Sequence, residues 1–266
     1  MNSFLYDLKR IFTGSFTIII IVLLVIVTMM EAYGTVGSVN SAVSPPSSTS
    51  IYTGMQSSIS GFYALLIPLF GIFSAYFYYG KDKTSGILES IISKPVTKGR
   101  LFLSRFLGTS LTFVMAITLA IGLADILIYK YTGSFLSDTG FLSIVIGYSV
   151  VAIGYSGLMY LIAQFAKSSD IMIGSGLGLL FILGFFWGIL MYLLLIRFLE
   201  HASFIKFQSI LIYLNSISPS NYSTIMEYLK EGSYKSIINV GIVAGIGIIW
   251  ILVPAFISFM LARSRD

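Results

Sequence analysis

Apolar residues fall into six long blocks, at residues 15–30, 60–79, 106–128, 141–165, 171–196 and 237–261. A helix needs about 20 apolar residues to cross a hydrocarbon core about 30 Å thick, so each block predicts a membrane span, the first being the shortest. Lys9 and Arg10 precede the first block as they would in a signal peptide. No small-x-small cleavage site follows, which predicts a retained helix. Before the first span, Phe4, Leu5, Leu8, Ile11 and Phe12 share one helical face, and Asn2, Asp7, Lys9 and Arg10 take the other. That pattern predicts an amphipathic helix lying at the membrane interface.

The segments between the blocks differ. Residues 31–58 are rich in Ser, Gly and Thr, contain Pro45-Pro46, and predict a solvated loop. Residues 204–217 are apolar but too short to span, so they predict a re-entrant or interfacial helix that Pro219 ends. In residues 80–105, Thr84 or Ser85 can cap a short helix. Ile87, Leu88, Ile91 and Ile92 form its apolar face, Glu89, Ser90 and Ser93 its polar face, and Pro95 ends it. On pattern alone this is either a docking surface for a cytoplasmic partner or a solvated loop.

Composition agrees with the blocks. Apolar residues make up 56% of the chain and charged residues 10%, too little polar surface to coat a water-soluble globule. The fold class is therefore an all-α membrane protein: six spans, an N-terminal interface helix, a cytoplasmic helix between spans two and three, and a short outer helix between spans five and six. The net charge of +5 is explained by its placement. With the N-terminus inside, eleven of the 16 cations (Lys9, Arg10, Lys81, Lys83, Lys94, Lys98, Arg100, Arg105, Lys167, Arg263 and Arg265) lie on the cytoplasmic side. Lys130, Arg197, Lys206, Lys230 and Lys235 lie outside. This bias predicts cytoplasmic termini and needs no nucleic acid.

Candidate chemistry is sparse. There is no cysteine, and the one histidine is His201, which excludes disulfides and thiolate chemistry and predicts no metal site. Gly80-Lys81-Asp82 is not a phosphate-binding loop, because Ser or Thr must follow the lysine. Asp125 is the one ionisable residue well inside a predicted span. It reads as an interfacial anchor beside Tyr129 and Lys130, or as a polar contact to substrate or to a second copy. Asn221-Tyr222-Ser223 is an N-glycosylation sequon on the outer side. Tyr76–Tyr79 fall where an inner aromatic belt is expected. Gly154-Tyr155-Ser156-Gly157 in the fourth span resembles the nucleophile motif of rhomboid proteases, but the sixth span offers no histidine as base. The simpler reading is close packing through Gly147, Ser149, Gly154, Ser156 and Gly157, with Gly174, Gly176, Gly178, Gly241, Gly245 and Gly247 acting alike in spans five and six. Pro68 and Gly71 are candidates for a kink.

The inner loop resembles that of type-2 ABC transporter permeases. Their pattern is an acidic residue, Gly-Thr-Leu, a run of Leu, a Pro-Val-Ser-Arg turn, and a Lys opening the next span. Here Asp82, Gly86-Ile87-Leu88, Ile91-Ile92, Pro95-Val96-Thr97-Lys98 and Arg105 match it, with Ile87 in place of Thr and two cations exchanged. The order of elements along the whole chain matches too. The resemblance implies that residues 82–93 are a coupling helix docking on ABC ATPase subunits, with Lys81, Lys83, Glu89, Lys94 and Lys98 as polar contacts. It implies export, a second permease copy (homodimeric or heterodimeric), and ATP and magnesium bound by the ATPase, leaving this chain without a cofactor. The alternatives are a non-transporting membrane anchor and a rhomboid-like protease.

Overall fold

A computed structural model describes residues 3–40, 47–87, 97–198, 204–230 and 239–264. Among these residues every regular element is helical. Helix α1 is Ser3–Phe12, α2 is Ser15–Asn40 and α3 is Ser48–Ala75. A π-helical turn, Tyr76–Gly80, joins α3 to the short α4, Lys81–Thr84. Then come α5, Lys98–Thr132, and α6, Asp138–Phe165. Helix α7, Ser169–Leu180, runs through a second π-helical segment, Phe181–Phe186, into α8, Trp187–Phe198. The chain closes with α9, Phe204–Ser216, a 3₁₀ turn at Pro219–Asn221, α10, Tyr222–Lys230, and α11, Val240–Arg263.

The described residues contain six rods long and apolar enough to cross a membrane: Ser15–Val39, Ser48–Thr84, Lys98–Thr132, Asp138–Phe165, Ser169–Arg197 and Val240–Arg263. The protein is a multi-pass membrane protein. Side-chain oxygens begin five of the helices. Ser47, Thr97, Ser137, Ser168 and Asn239 each accept from a backbone N–H two or three residues on, satisfying donors that a helix start leaves open. Gly133, at φ +72°, supplies the left-handed residue that ends α5.

Helix α6 is the centre of the bundle, packed against α3, α5, α10 and α11. Its small residues make this possible. A Cβ at Gly147 would meet Ser223, one at Gly154 would meet Pro219, and one at Gly157 would meet Pro254. Gly174, Gly178 and Gly245 have open space instead, so the expected packing role fails for them in this chain. The rod from α7 to α8 turns Phe181, Phe185, Ile189 and Leu193 outward, and α11 turns out Ile248, Leu252 and Phe256. Such surface is at home in lipid.

Three expectations are corrected. Residues 31–58 are not a loop, because α2 continues to Asn40 and α3 begins at Ser48. Ala32, Thr35, Val36, Ile51, Met55 and Gln56 are buried between these helices and their neighbours. Pro45-Pro46 lie outside the described residues. Asp7 is not on the outer face of α1, being buried against α5, while Leu5 and Tyr6 are exposed. Tyr78 and Tyr79 are not belt residues facing lipid, because both are buried.

The segment after α8 folds back on the bundle. Trp187 Nε1 donates to Leu214 O (3.0 Å), and Ser218 Oγ donates to Leu183 O (2.6 Å). Tyr222 OH donates to Val243 O at 3.1 Å. At the opposite end, α1 lies on α5, and the Phe102 and Phe259 rings, 6.4 Å apart, bring the end of α11 beside the start of α5. Both chain ends therefore sit at one end of the bundle.

Candidate functional site

The end that carries the chain termini also carries the root of the 80–105 segment. The rod of α3 ends in the π-helical turn, and α4 follows directly, placing Asp82 and Lys83 beside α5 and α6. Asp82 Oδ2 lies 2.7 Å from Arg105 Nη1 and 3.6 Å from Arg10 Nη2. Only 9% of the Asp82 side chain and 3% of the Arg105 side chain reach the surface, against 46% for Arg10. The pair with Arg105 is thus a buried one, where loss of either partner strands a charge, and the pair with Arg10 is peripheral.

Beside this ion pair, Arg105 makes a hydrogen bond. Its Nη1 donates to Tyr78 O at 2.9 Å, inside the π-helical turn. The Tyr78 hydroxyl donates to Ile11 O (3.3 Å) and shares a 2.5 Å hydrogen bond with Thr17 Oγ1, which ties the turn to α1 and α2. Next to Arg105, Ser104 Oγ donates to the Asp7 carboxylate of α1. Lys83 faces the other way. Its Nζ donates to Ala163 O and to Gln164 Oε1 (3.3 Å), at the last turn of α6. A cation there meets carbonyls that the helix end leaves without N–H partners and the negative end of its dipole. Gln164 Nε2 donates to Tyr79 OH at 2.9 Å, and Thr84 and Ser169 hydroxyls lie 3.1 Å apart.

The residues expected to dock a partner therefore divide. Asp82 and Lys83 are turned into the bundle. Lys81, Gly86 and Ile87 are exposed, and Gly86 takes the left-handed conformation, at φ +74°, just after α4. Lys98 is half-buried at the start of α5. Leu88, Glu89, Ile91, Ile92, Lys94 and Pro95 lie outside the described residues. The partners of Asp82 were not evident from the sequence, although Arg105 closes the same loop with the opposite charge. Asp7 had a visible signal too: it lies four residues before Ile11, on the buried stripe.

The remaining candidates sit elsewhere. Asp125 Oδ1 accepts from Leu136 N–H at 2.7 Å and so holds the turn between α5 and α6, where the Tyr129 and Phe135 rings stack at 4.0 Å. Asn221 Nδ2 donates to Asn215 O (3.3 Å), and Ser223 of the sequon is buried. A crevice of about 190 Å³ opens between α3, the 181–186 segment and residues 220–224. Ser60, Ser220, Asn221, Ser223 and Thr224 line it with hydroxyls and an amide, and no charged residue lines it.

Ser156 is fully buried at the crossing of α6 and α3, and its Oγ has no hydrogen-bond partner. His201 lies outside the described residues, and no metal-binding cluster occurs among the described ones. Ser156→Ala removes an unpartnered hydroxyl and leaves the packing, so thermal stability should change by less than about 1 kcal/mol and activity should be retained. Loss of all activity on that substitution would restore the protease reading.

A family model described as ABC-2 family transporter protein matches residues 1–266. No curated protein matches the chain. The chain belongs to the ABC-2 transporter family.

Proposed function

We propose that this ABC-2 family membrane protein is the permease subunit of an ATP-driven exporter, powered by a separate ATPase subunit. The observation that carries the reading is how the 80–105 segment is rooted. Asp82–Arg105 fastens it to α5, and Lys83 fastens it to the end of α6. A push on the segment reaches three spans through short contacts, the Asp82–Arg105 pair buried and those of Lys83 partly so. The sequence has no phosphate-binding loop, so ATP and magnesium would belong to the partner.

The docking surface lies beyond the root. It comprises Ile87, Leu88, Ile91 and Ile92 as apolar contacts, with Lys81, Glu89, Lys94 and Lys98 as charged ones. Asp82 and Lys83 hold that surface in place. Both termini would then be cytoplasmic, as the distribution of cations suggests. A second copy completes the pathway, with the outward-facing apolar rods meeting it or lipid.

Reversing Lys94 and Lys98 to Glu tests the surface. Surface charge pairs contribute about 0.2–1 kcal/mol each, so loss of two should weaken retention of the ATPase by about 2–30-fold, more at low salt than at high salt. Unchanged ATPase retention and transport would remove both lysines from the interface.

A further inference from the structure

The continuation of α2 to Asn40 takes Glu31 into a span. At 1.5 Å per residue Glu31 lies about 24 Å along the axis from Ser15, inside a hydrocarbon core about 30 Å thick. A carboxylate at that depth is costly in lipid and calls for a partner. Asp82 has Arg105, and Asp125 accepts from Leu136 N–H. The Glu31 carboxylate makes no hydrogen bond or ion pair with any described residue. It is half-buried and lines an open groove of about 730 Å³ between α2 and α3. Thr35 Oγ1 donates to Ser58 Oγ at 3.4 Å, and the Thr28 and Tyr63 hydroxyls are hydrogen-bonded to each other. Glu31 therefore stands at the level of Ser60 and Gly61. A Cβ at Gly61 would meet nothing within 4 Å, so the groove is open there. Ser57 Oγ donates to Gly54 O (2.9 Å) and Ser60 Oγ to Ser57 O (3.0 Å). Their protons are spent within α3, and what they offer the groove is lone pairs. Phe62, Leu65 and Leu66 supply an apolar wall. Among the described residues no cation lines the groove.

We infer that Glu31 binds the ammonium head of an amphiphilic amine whose apolar body lies along Phe62, Leu65 and Leu66, and that such amines are the class of substrate this protein moves. The inference rests on the transport reading above. The chemistry of the groove selects this occupant. An anion would be repelled by the carboxylate, and a neutral amphiphile or a lipid tail would leave it unpaired in a poorly solvated place. An ammonium neutralises Glu31 and has N–H donors left for the Ser57 and Ser60 oxygens, which makes the strong, charge-assisted kind of hydrogen bond. The apolar wall then covers the rest of the molecule, as in most small-molecule sites.

The probe is tritiated 1-adamantylammonium, with 1-adamantanol and 1-adamantanecarboxylate as neutral and anionic competitors of the same shape. Binding is measured on the purified protein in phosphatidylcholine nanodiscs, without any ATPase. The ammonium should bind saturably, and neither competitor should displace it. Glu31→Gln should weaken binding by about 10–100-fold, the loss of a charge-assisted hydrogen bond, and Glu31→Asp by less. Gly61→Leu, whose side chain enters the open groove rather than the bundle, should weaken it as well. Neither Glu31→Gln nor Gly61→Leu should lower the melting temperature, because neither removes a contact within the chain. Absence of saturable binding, equal binding by Glu31→Gln, or displacement by the carboxylate would overturn the inference and leave the transport reading standing. Loss of cross-linking between copies in Glu31→Gln, with no ammonium bound by the unaltered protein, would assign the groove to a second copy and overturn the inference too. Binding that depends on Glu31, in a protein with which no ATPase co-purifies from native membranes, would overturn the transport reading and, with it, the role of the amine as substrate.

Discussion

Arg105→Met alone is expected to destabilise the protein by about 3–5 kcal/mol, enough to remove most of the folded protein from membranes. The reason is not the net worth of the ion pair. The variant leaves the Asp82 carboxylate inside the bundle with only the peripheral Arg10, 3.6 Å away. It also leaves Tyr78 O without its side-chain donor. Asp82→Asn alone should destabilise for the mirror-image reason, since Arg105 is then a buried cation without a carboxylate. The two changes together should cost far less than their sum. Arg10→Ala should cost less than about 1 kcal/mol, because nearly half of that side chain is already in solvent. Thermal melts followed by size-exclusion in detergent give all four values. Additive losses would mean that the buried pair is not an interacting unit.

The second large effect lies at Gly71. A Cβ built there would sit 2.7 Å from Ala152 O, 3.1 Å from Tyr155 Cβ and 3.2 Å from Ser156 N. Two of these are backbone atoms of α6, which cannot swing aside. Gly71→Ala should cost about 1–3 kcal/mol, and Gly71→Leu more, by forcing α3 away from the central helix. Gly122→Ala is the matched control. It also lies inside a long helix, but nothing stands within 4 Å of its Cβ position. There the same substitution should be neutral or stabilise by up to about 1 kcal/mol, because alanine restricts the unfolded chain and suits a helix better. Equal melting temperatures for Gly71→Ala and Gly122→Ala would show that the close crossing is not needed.

The six spans were legible because long apolar runs announce membrane helices whatever they pack against. Their ends were not legible, and residues 31–60 show why. Ser and Thr read as loop formers when counted. Here the Thr35, Ser38, Thr53, Ser57 and Ser60 hydroxyls each bond a carbonyl three or four residues back, which a helix provides. Small hydroxyl residues also let α2 and α3 approach, with Gly54 set against Thr35. The 80–105 segment was found from its amphipathic pattern and its likeness to a family, and the family holds for the whole chain. Pattern alone could not separate inward charges from outward ones. Asp82 and Lys83 sit among the cations that the positive-inside bias explains, yet three-dimensional neighbours turn one toward Arg105 and the other toward the end of α6. Asp125 was read as a boundary residue, and the structure shows what its carboxylate does: it accepts from Leu136 across the turn.

In the proposed function this chain is the pathway and its motor is another protein. The direct measurement is ATP hydrolysis by the protein purified gently from its native membranes, with mass spectrometry of whatever accompanies it. The expected result is vanadate-sensitive hydrolysis that co-purifies with a polypeptide carrying a phosphate-binding loop, and that is lost when residues 87–94 are replaced by a Gly-Ser linker. Hydrolysis by the isolated chain, or an ATPase retained undiminished after that replacement, would contradict the account.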